Sequence, residues 1–196
     1  IAVGAPGRDT GVGMVAVKEW SGGRWIDKGA TLKGTKTLLN RISQENFGGA
    51  ISLSADGRTL AVGAKFNSDA GKYTGMVQVF EWKGEWKLKG EKIYGENADD
   101  RFGRSVSLSI DGNTLAVGSP QNDDSGGNSG MVKVFAWSGS KWVQKGKAIN
   151  GSKADDLLGV STCISSDGHS VVIGSPGSDV NGSSTGQVLV YSWDGQ

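Results

Sequence analysis

A block of about 55 residues recurs along the chain and constrains the fold more than any other feature. The block begins FGGAISLSADGRTLAVGA at Phe47, FGRSVSLSIDGNTLAVGS at Phe102 and LGVSTCISSDGHSVVIGS at Leu158. A second block follows each time, as in GMVQVFEW from Gly75, and the opening IAVGAP with GMVAVKEW from Gly13 is the same unit entered partway. One such unit cannot bury its own faces, so the units must pack against each other.

Each unit is predicted to form four short strands, A to D, with no helix. In the third unit we expect A at Val106–Ser109, B at Thr114–Gly118, C at Met131–Trp137 and D from Trp142. An Asp-Gly pair separates A from B, and this pair favours a tight hairpin because glycine accepts positive φ. Strand C alternates in period two, as a strand does. The sequence therefore predicts an all-β protein.

All seven tryptophans occupy two positions of the repeat, the end of strand C and the start of strand D. They are Trp20, Trp82, Trp137 and Trp193 at the first position, and Trp25, Trp86 and Trp142 at the second. We expect them to pair across the C–D hairpin and to form core between neighbouring sheets. A platform on which carbohydrates stack is the alternative.

The repeat resembles the FG-GAP repeats of integrin-α-like β-propellers. The resemblance rests on Phe-Gly at 47–48 and 102–103, A-V-G-A-P at 2–6, A-V-G-S-P at 116–120, the G-x-V-x-V-F/Y-x-W strands and the trailing W-x-x-K-G at 86–90 and 142–146. It is closest to the short FG-GAP subfamily. Two repeats depart from the pattern: Lys65 stands where others have Pro, and Leu158 where others have Phe. The resemblance implies a β-propeller of four-stranded blades.

The predicted boundaries divide one propeller segment, residues 1–196, into two whole and two incomplete blades. Residues 1–46 hold strands B to D and a long connection, 47–101 and 102–157 are blades, and 158–196 hold strands A to C. Because a closed ring is what removes exposed sheet edges, we expect an excerpt of a longer propeller, of seven blades if the resemblance holds. A form completed by oligomerisation is the alternative.

Charge and composition exclude several functions. With 21 Lys and Arg against 20 Asp and Glu, the net charge of +1 gives no electrostatic reason to bind nucleic acid or an acidic membrane, and no apolar run is long enough to be inserted into a membrane. One cysteine and one histidine allow no internal disulfide and no structural Cys/His metal site. We expect Cys163 to be a buried strand A residue and His169 a solvated turn residue.

In a propeller, the B–C and D–A connections emerge on one face, which we call the loop face. Loops on a rigid scaffold are where binding residues concentrate, so we predict that this face binds a partner. Its acidic residues are the candidate binding residues: Asp9, Asp69, Asp99, Asp100, Asp123, Asp124, Asp155, Asp156 and Asp179. Their role as ordinary turn formers is the alternative.

No cofactor is expected. The A–B turns lack the D-x-D-x-D-G calcium loop of integrin-like repeats, and one aspartate per turn cannot supply the six to eight oxygens that Ca²⁺ takes. A Ca²⁺ site among the loop-face aspartates stays open, and its ligands are unknown. The pairs Asp99-Asp100 and Asp155-Asp156 could suggest a glycosidase. They repeat with the blade, however, whereas catalytic groups are usually unique, so we predict that the chain is not an enzyme.

The predicted function is a non-catalytic binding or structural module of an extracellular or cell-surface protein. Its partners would be a protein or glycan ligand and further blades or neighbouring chains. Asn150 and Asn181 begin N-glycosylation sequons. Three alternatives remain: a lectin-like propeller, an architectural subunit of a filament or coat, and part of a propeller hydrolase or lyase.

Overall fold

The computed structural model describes residues 1–35, 45–180 and 182–195, and these residues contain strands and turns but no helix. The strands form four antiparallel sheets, one for each unit of the repeat. The prediction of an all-β protein built from four-stranded antiparallel units is confirmed. No segment of the described residues has the length and apolarity of a membrane-spanning helix.

Strands A, B and C are single elements, and strand D is divided into two short pieces; among the described residues the first unit has no strand A and the fourth has no strand D. The first sheet contains β1 (Ala2–Ala5), β2 (Met14–Ser21), β3 (Arg24–Asp27) and β4 (Leu32–Lys33). The second contains β5 (Ala50–Leu53), β6 (Thr59–Ala64), β7 (Met76–Trp82), β8 (Trp86–Leu88) and β9 (Ile93–Tyr94). The third contains β10 (Ser105–Leu108), β11 (Thr114–Ser119), β12 (Met131–Trp137), β13 (Trp142–Gln144) and β14 (Ile149–Asn150). The fourth contains β15 (Ser161–Ile164), β16 (Ser170–Ser175) and β17 (Gln187–Ser192).

The A–B turn is fixed by a serine and an aspartate two residues apart. The Ser109 hydroxyl donates to Asp111 Oδ1 at 2.6 Å, and the same carboxylate oxygen accepts the Asn113 amide at 3.0 Å. The Thr114 amide in turn donates to Ser109 Oγ at 2.9 Å. Gly112 has a φ of +67°, which an L side chain rarely adopts. The S-x-D-G pattern therefore encodes this hairpin directly.

Strand D is interrupted where the Lys-Gly pair occurs. In the second unit, β8 and β9 both pair with β7, and Lys89 and Gly90 lie between the two pieces. Gly90 has a φ of +82°, so the backbone turns locally in a way that resembles a bulge. The turn directs the Lys89 side chain away from its own sheet and towards the next unit.

Neighbouring sheets meet along close backbone approaches near the start of strand A. A Cβ atom on Gly63 would collide with the carbonyl oxygen of Gly103 in the next unit. Phe102, which precedes Gly103, is 1% exposed and contacts Phe135 edge-on at 6.2 Å between ring centroids. The Phe-Gly pair therefore supplies both a core side chain and the room for the next sheet.

The tryptophan pairs across the C–D hairpin are confirmed, but the prediction that all seven are core is wrong. Trp137 and Trp142 lie 5.4 Å apart between ring centroids and are half-buried against the preceding unit. There the Trp142 Nε1–H donates to the Lys89 carbonyl at 2.8 Å. Trp20 and Trp25 of the first unit, in contrast, are 61% and 50% exposed. Their counterparts are covered by the preceding unit's Lys-Gly pair, and no described unit precedes the first one.

The prediction that Cys163 is buried is wrong, whereas His169 is an exposed turn residue as predicted. The serines at the position of Cys163 face a following sheet: Ser107 Oγ accepts the Ile164 amide at 3.0 Å. Cys163 belongs to the last described unit, so its side chain reaches the surface.

Candidate functional site: the loop face

The B–C and D–A connections interlock on one face of the segment. The Phe102 amide in the D–A connection donates to the Thr74 carbonyl in the B–C connection at 3.0 Å. The Arg101 amide donates to the Tyr73 carbonyl at 3.1 Å. The same arrangement recurs one unit later, where the Leu158 amide donates to the Ser129 carbonyl at 3.1 Å. These bonds join each B–C connection to the D–A connection that follows it.

Most of the predicted acidic residues are at the surface of this face. Asp9, Asp69, Asp123, Asp124, Asp155 and Asp179 are exposed, and Asp99 is half-buried. Several of them stabilise the loops: Asp99 pairs with Lys72 Nζ at 2.9 Å, and Asp123 Oδ1 accepts the Asn128 amide at 2.7 Å. Asp99 also has a φ of +65°, a conformation that Asp tolerates better than most residues. A binding role for these residues stays a prediction.

Asp100 and Asp156, which we predicted on the exposed face, are buried instead, at 2% and 3% exposure. Asp100 Oδ2 accepts a bond from Asn122 Nδ2 at 3.1 Å, which ties the D–A connection to the following B–C connection. Glu45 occupies the corresponding place one unit earlier and accepts a bond from Asn67 Nδ2 at 2.9 Å. Buried carboxylates need such partners. The carboxylate of Asp156 finds them within its own D–A connection, in Ser152 and Lys153. These buried carboxylates are not available to a ligand.

The pKa values of the two buried aspartates shift in opposite directions. Burial raises the pKa of Asp100, and the bond from Asn122 only partly offsets that effect. Burial also opposes ionisation of Asp156, but bonds from the Ser152 hydroxyl and from the amides of Ser152 and Lys153 outweigh it and lower the pKa of Asp156. Hydrogen bonds to the charged form explain the difference.

Within residues 1–35, 45–180 and 182–195, no three His, Cys, Asp or Glu side chains are grouped closely enough to hold a metal ion. Binding of Ca²⁺ to the loop face stays a prediction. Of the two predicted glycosylation sites, Asn150 is exposed at the end of β14, whereas Asn181 lies outside the described residues.

A basic group within the acidic loop face was missed by sequence reasoning. Lys65 Nζ lies 4.8 Å from the ring centroid of Phe66, and the guanidinium carbon of Arg101 lies 5.2 Å from the same ring. The backbone amide of Arg104 donates to the Arg101 carbonyl at 3.1 Å, and burial together with the charges of Arg104 and Arg101 lowers the pKa of Lys65. We call Lys65, Arg101 and Arg104 the basic group. The replacement of Pro by Lys65 is visible in the repeat, but by itself it does not indicate a cluster of cations.

Solved structures with a similar fold include three proteins. One is hydrazine synthase of Kuenenia stuttgartiensis, with 12% sequence identity and a TM-score of 0.60; the match covers 98% of this chain and 55% of that one. The second is the periplasmic gluconolactonase PpgL of Pseudomonas aeruginosa, with 18% identity and a TM-score of 0.54, covering 97% of this chain and 49% of that one. The third is a protein of Bacteroides uniformis assigned as a 6-phosphogluconolactonase, with 14% identity and a TM-score of 0.58, covering 93% of this chain and 48% of that one. The chain thus spans about half the length of each. These likenesses confirm the β-propeller fold.

The prediction that the chain is not an enzyme is contradicted by these similarities, because gluconolactonases are enzymes that share its fold. Repetition with the blade makes the pairs Asp99-Asp100 and Asp155-Asp156 unsuitable as catalytic groups, but other residues of the loop face do not repeat. At identities of 12–18% the likeness shows the fold alone and assigns no activity to this chain.

The family resemblance is confirmed over part of the chain. No curated protein matches the sequence, but residues 95–135 match the family model of the FG-GAP repeat. This segment runs from the D–A connection through strands A, B and C of the third unit, and the same strand order recurs in the second unit. Residues 95–135 are therefore an FG-GAP repeat within a β-propeller fold.

Proposed function

We propose that the chain is the ligand-binding segment of an extracellular or cell-surface β-propeller protein and that its loop face binds the ligand. The observation that supports this proposal is the contrast between the two faces. On the A–B turn face, Ser54 donates to Asp56 and Ser109 to Asp111, both at 2.6 Å, so the units repeat the same contact. On the loop face, the B–C connections differ in sequence between units.

The difference between the two faces indicates which of them can bind a ligand specifically. A repeated contact serves the scaffold, which every unit needs equally. A face whose side chains differ from unit to unit can offer one ligand a unique set of groups. The exposed carboxylates of Asp69 and Asp124 recur at equivalent places in successive units, whereas the basic group beside them occurs at one place only, and it is this group that makes the set unique.

The test is a thermal-shift panel of CaCl₂, neutral oligosaccharides, carboxylates and phosphates. At least one class should raise the melting temperature, and Asp124→Asn or a basic-group variant should reduce that rise. Glu85→Gln, which changes an exposed carboxylate at the C–D turn, should leave it unchanged. The proposal is overturned if no compound raises the melting temperature, or if the rise is lost only in the Glu85→Gln variant. A rise with oligosaccharides that is abolished by Trp25→Ala would favour the lectin-like alternative, because the Trp20–Trp25 pair is exposed.

Hydrolysis of a sugar lactone is a second candidate function, favoured by the fold shared with gluconolactonases. It is tested by following acid release from glucono-δ-lactone above the spontaneous rate. Activity that disappears with loop-face variants and survives Glu85→Gln would make this face an active site. A rate equal to that of buffer would remove the candidate.

Location is tested separately through Asn150, which is exposed. Protein recovered from its native source should lose mass on treatment with an N-glycosidase, and Asn150→Gln should abolish or reduce that loss. No change in mass for the secreted or surface-exposed protein would contradict glycosylation at this site.

A further inference from the structure

The basic group occupies one junction between units and has no counterpart at the other two. Gly63 of the second unit touches Gly103 of the third, and Lys65 and Arg104 follow these two glycines on the loop side of the contact. The equivalent contacts are Gly4 with Gly48, followed by Pro6 and Gly49, and Gly118 with Gly159, followed by Pro120 and Val160. The same backbone contact thus occurs at all three junctions, whereas the cations are present only at the junction of the second and third units.

Arg101 completes the set from the D–A connection. The corresponding residues in the neighbouring connections are Asn46 and Leu157, neither of which is charged. Arg101 is held in place by its amide bond to the Tyr73 carbonyl and has a φ of +57°. Three departures from the repeat therefore converge on one junction, which the packing of units alone does not require.

The three cations have no carboxylate partner among the described residues. None of Lys65, Arg101 and Arg104 takes part in an ion pair there, although acidic residues are abundant on the same face. The Nε–H of Arg101 is buried and forms no hydrogen bond, which is uncommon for a buried donor. Two buried carboxylates of the loop face, Glu45 and Asp100, are bonded to Asn67 and Asn122 instead.

The surroundings of Lys65 favour an anionic ligand. Burial, followed by repulsion from Arg104 and Arg101, lowers the pKa of Lys65. An oxyanion placed among these groups would relieve the repulsion and satisfy the free guanidinium donor. Phe66 forms an apolar wall beside the cations and is itself supported by Tyr73, at 5.4 Å between ring centroids.

We propose that Lys65, Arg101 and Arg104 form a binding site for an oxyanion group, a carboxylate or a phosphate, carried by a small ligand whose body lies against Phe66. A guanidinium presents two parallel N–H groups that match either oxyanion. The site rests on the proposed function of the loop face and gives it a ligand class opposite in charge to the one that the acidic loops suggest.

The test is titration of the whole chain with inorganic phosphate and, separately, with citrate, at an ionic strength fixed with sodium chloride. We expect saturable binding of at least one anion. The anion with the lower dissociation constant shows whether the site prefers a phosphate or a carboxylate. Arg101→Asn and Arg104→Val install residues found at equivalent positions and should each weaken binding about tenfold. Lys65→Pro, which restores the residue of the other three units, should weaken it several-fold.

Arg8→Asn is the matched control, because Arg8 is an exposed cation of the same face in the first unit. The proposal is overturned if Arg8→Asn weakens binding as much as Arg101→Asn, if sodium chloride alone competes equally, or if neither anion binds. A neutral ligand or Ca²⁺ that binds the loop face and is indifferent to Arg101→Asn would preserve the proposed function while removing the oxyanion site. Circular dichroism of each variant confirms that the loss is not due to unfolding.

Discussion

The ammonium group of Lys89 donates a hydrogen bond to the carbonyl oxygen of Gly112 in the next unit, at 2.8 Å. The ammonium also lies 5.3 Å from the ring centroid of Trp137 and 5.5 Å from that of Trp142, both in that unit. The contact recurs along the chain, as Lys28 Nζ lies 2.9 Å from the Gly57 carbonyl and Lys145 Nζ 3.1 Å from that of Gly168. We call this contact, between the lysine ammonium and a glycine carbonyl of the next unit, the clasp. It joins each of the first three units to the following one on the side opposite the loop face.

Trp142→Ala should destabilise the protein far more than Trp25→Ala, although the two residues occupy the same repeat position. The Trp142→Ala variant lacks the hydrogen bond to the Lys89 carbonyl, the ring contact with Trp137 and the cation–π contact with the Lys89 ammonium. We expect a cost of about 2–4 kcal/mol in the free energy of unfolding for Trp142→Ala. For Trp25→Ala, which loses mainly the contact with Trp20, we expect about 1 kcal/mol.

Urea denaturation of both variants measures the difference. Equal losses would contradict the role of the clasp. The same pair of measurements in a longer protein that includes these residues would report whether another unit covers Trp25, because its cost should then approach that of Trp142.

Gly90→Ala should cost more than Gly84→Ala. Both glycines have positive φ, +82° and +84°, so both variants pay the backbone strain of about 1–2 kcal/mol. Only at Gly90 would the new Cβ meet a side chain, 2.8 Å from Trp137 Cζ3, whereas nothing lies within 4 Å at Gly84. We expect a further 1–3 kcal/mol, roughly, for Gly90→Ala from the displaced tryptophan. Denaturant midpoints of the two variants that coincide would argue against the close packing of the clasp.

The repeat was sufficient to predict the strands, because each is bounded by residues with strong local preferences. The Asp-Gly turn after β10 and the alternation of β12 depend on neighbours in sequence, and the predicted bounds of β12, Met131–Trp137, match the structure. The pairing of Trp137 with Trp142 follows in the same way, because a hairpin places them opposite each other. Features encoded within one unit were therefore predictable.

Features that depend on packing between units were not. Asp99 and Asp100 are adjacent and chemically identical, yet one reaches solvent and the other bonds Asn122 in the interior. Lys65 and Arg101 are far apart in sequence and meet around Phe66 only when two sheets pack. Lys65 in place of a proline indicates a cationic site only once the structure shows that Arg101, a second residue that differs from the repeat, lies beside it.

Stability should fall in acid through the aspartates of the A–B turns, and Asp111 gives the clearest case. Burial opposes its ionisation, but bonds from the Ser109 hydroxyl and from Asn113 lower the pKa of Asp111 below its ordinary value of 3.8. The unfolded chain then binds the proton more tightly than the folded one. The contribution is present above pH 3.8 and is lost as the pH falls through the lower folded value.

Asp111→Asn should therefore flatten the loss of stability measured by urea denaturation between about pH 5 and pH 2. The raised pKa of Asp100 acts in the opposite direction, but its effect is common to both proteins and cancels in the comparison. Glu85→Gln, at the exposed C–D turn, is the control for the loss of one negative charge, because Glu85 is not among the groups that shift the pKa of Asp100. If both variants retain the slope of the parent protein, the turn carboxylates do not couple folding to pH.

Cys163 should react rapidly with a thiol reagent in the folded protein, because its side chain is exposed. Ser107 occupies the same place one unit earlier, where it is half-buried and accepts the Ile164 amide. A second cysteine introduced by Ser107→Cys should consequently be labelled at least about tenfold more slowly, since labelling would require the third and fourth sheets to separate. Mass spectrometry of the maleimide-treated Ser107→Cys protein distinguishes the two sites by peptide. Equal labelling rates would mean that these sheets open freely in solution. Slow labelling of Cys163 would mean that another sheet, from the same protein or from a second copy, covers β15.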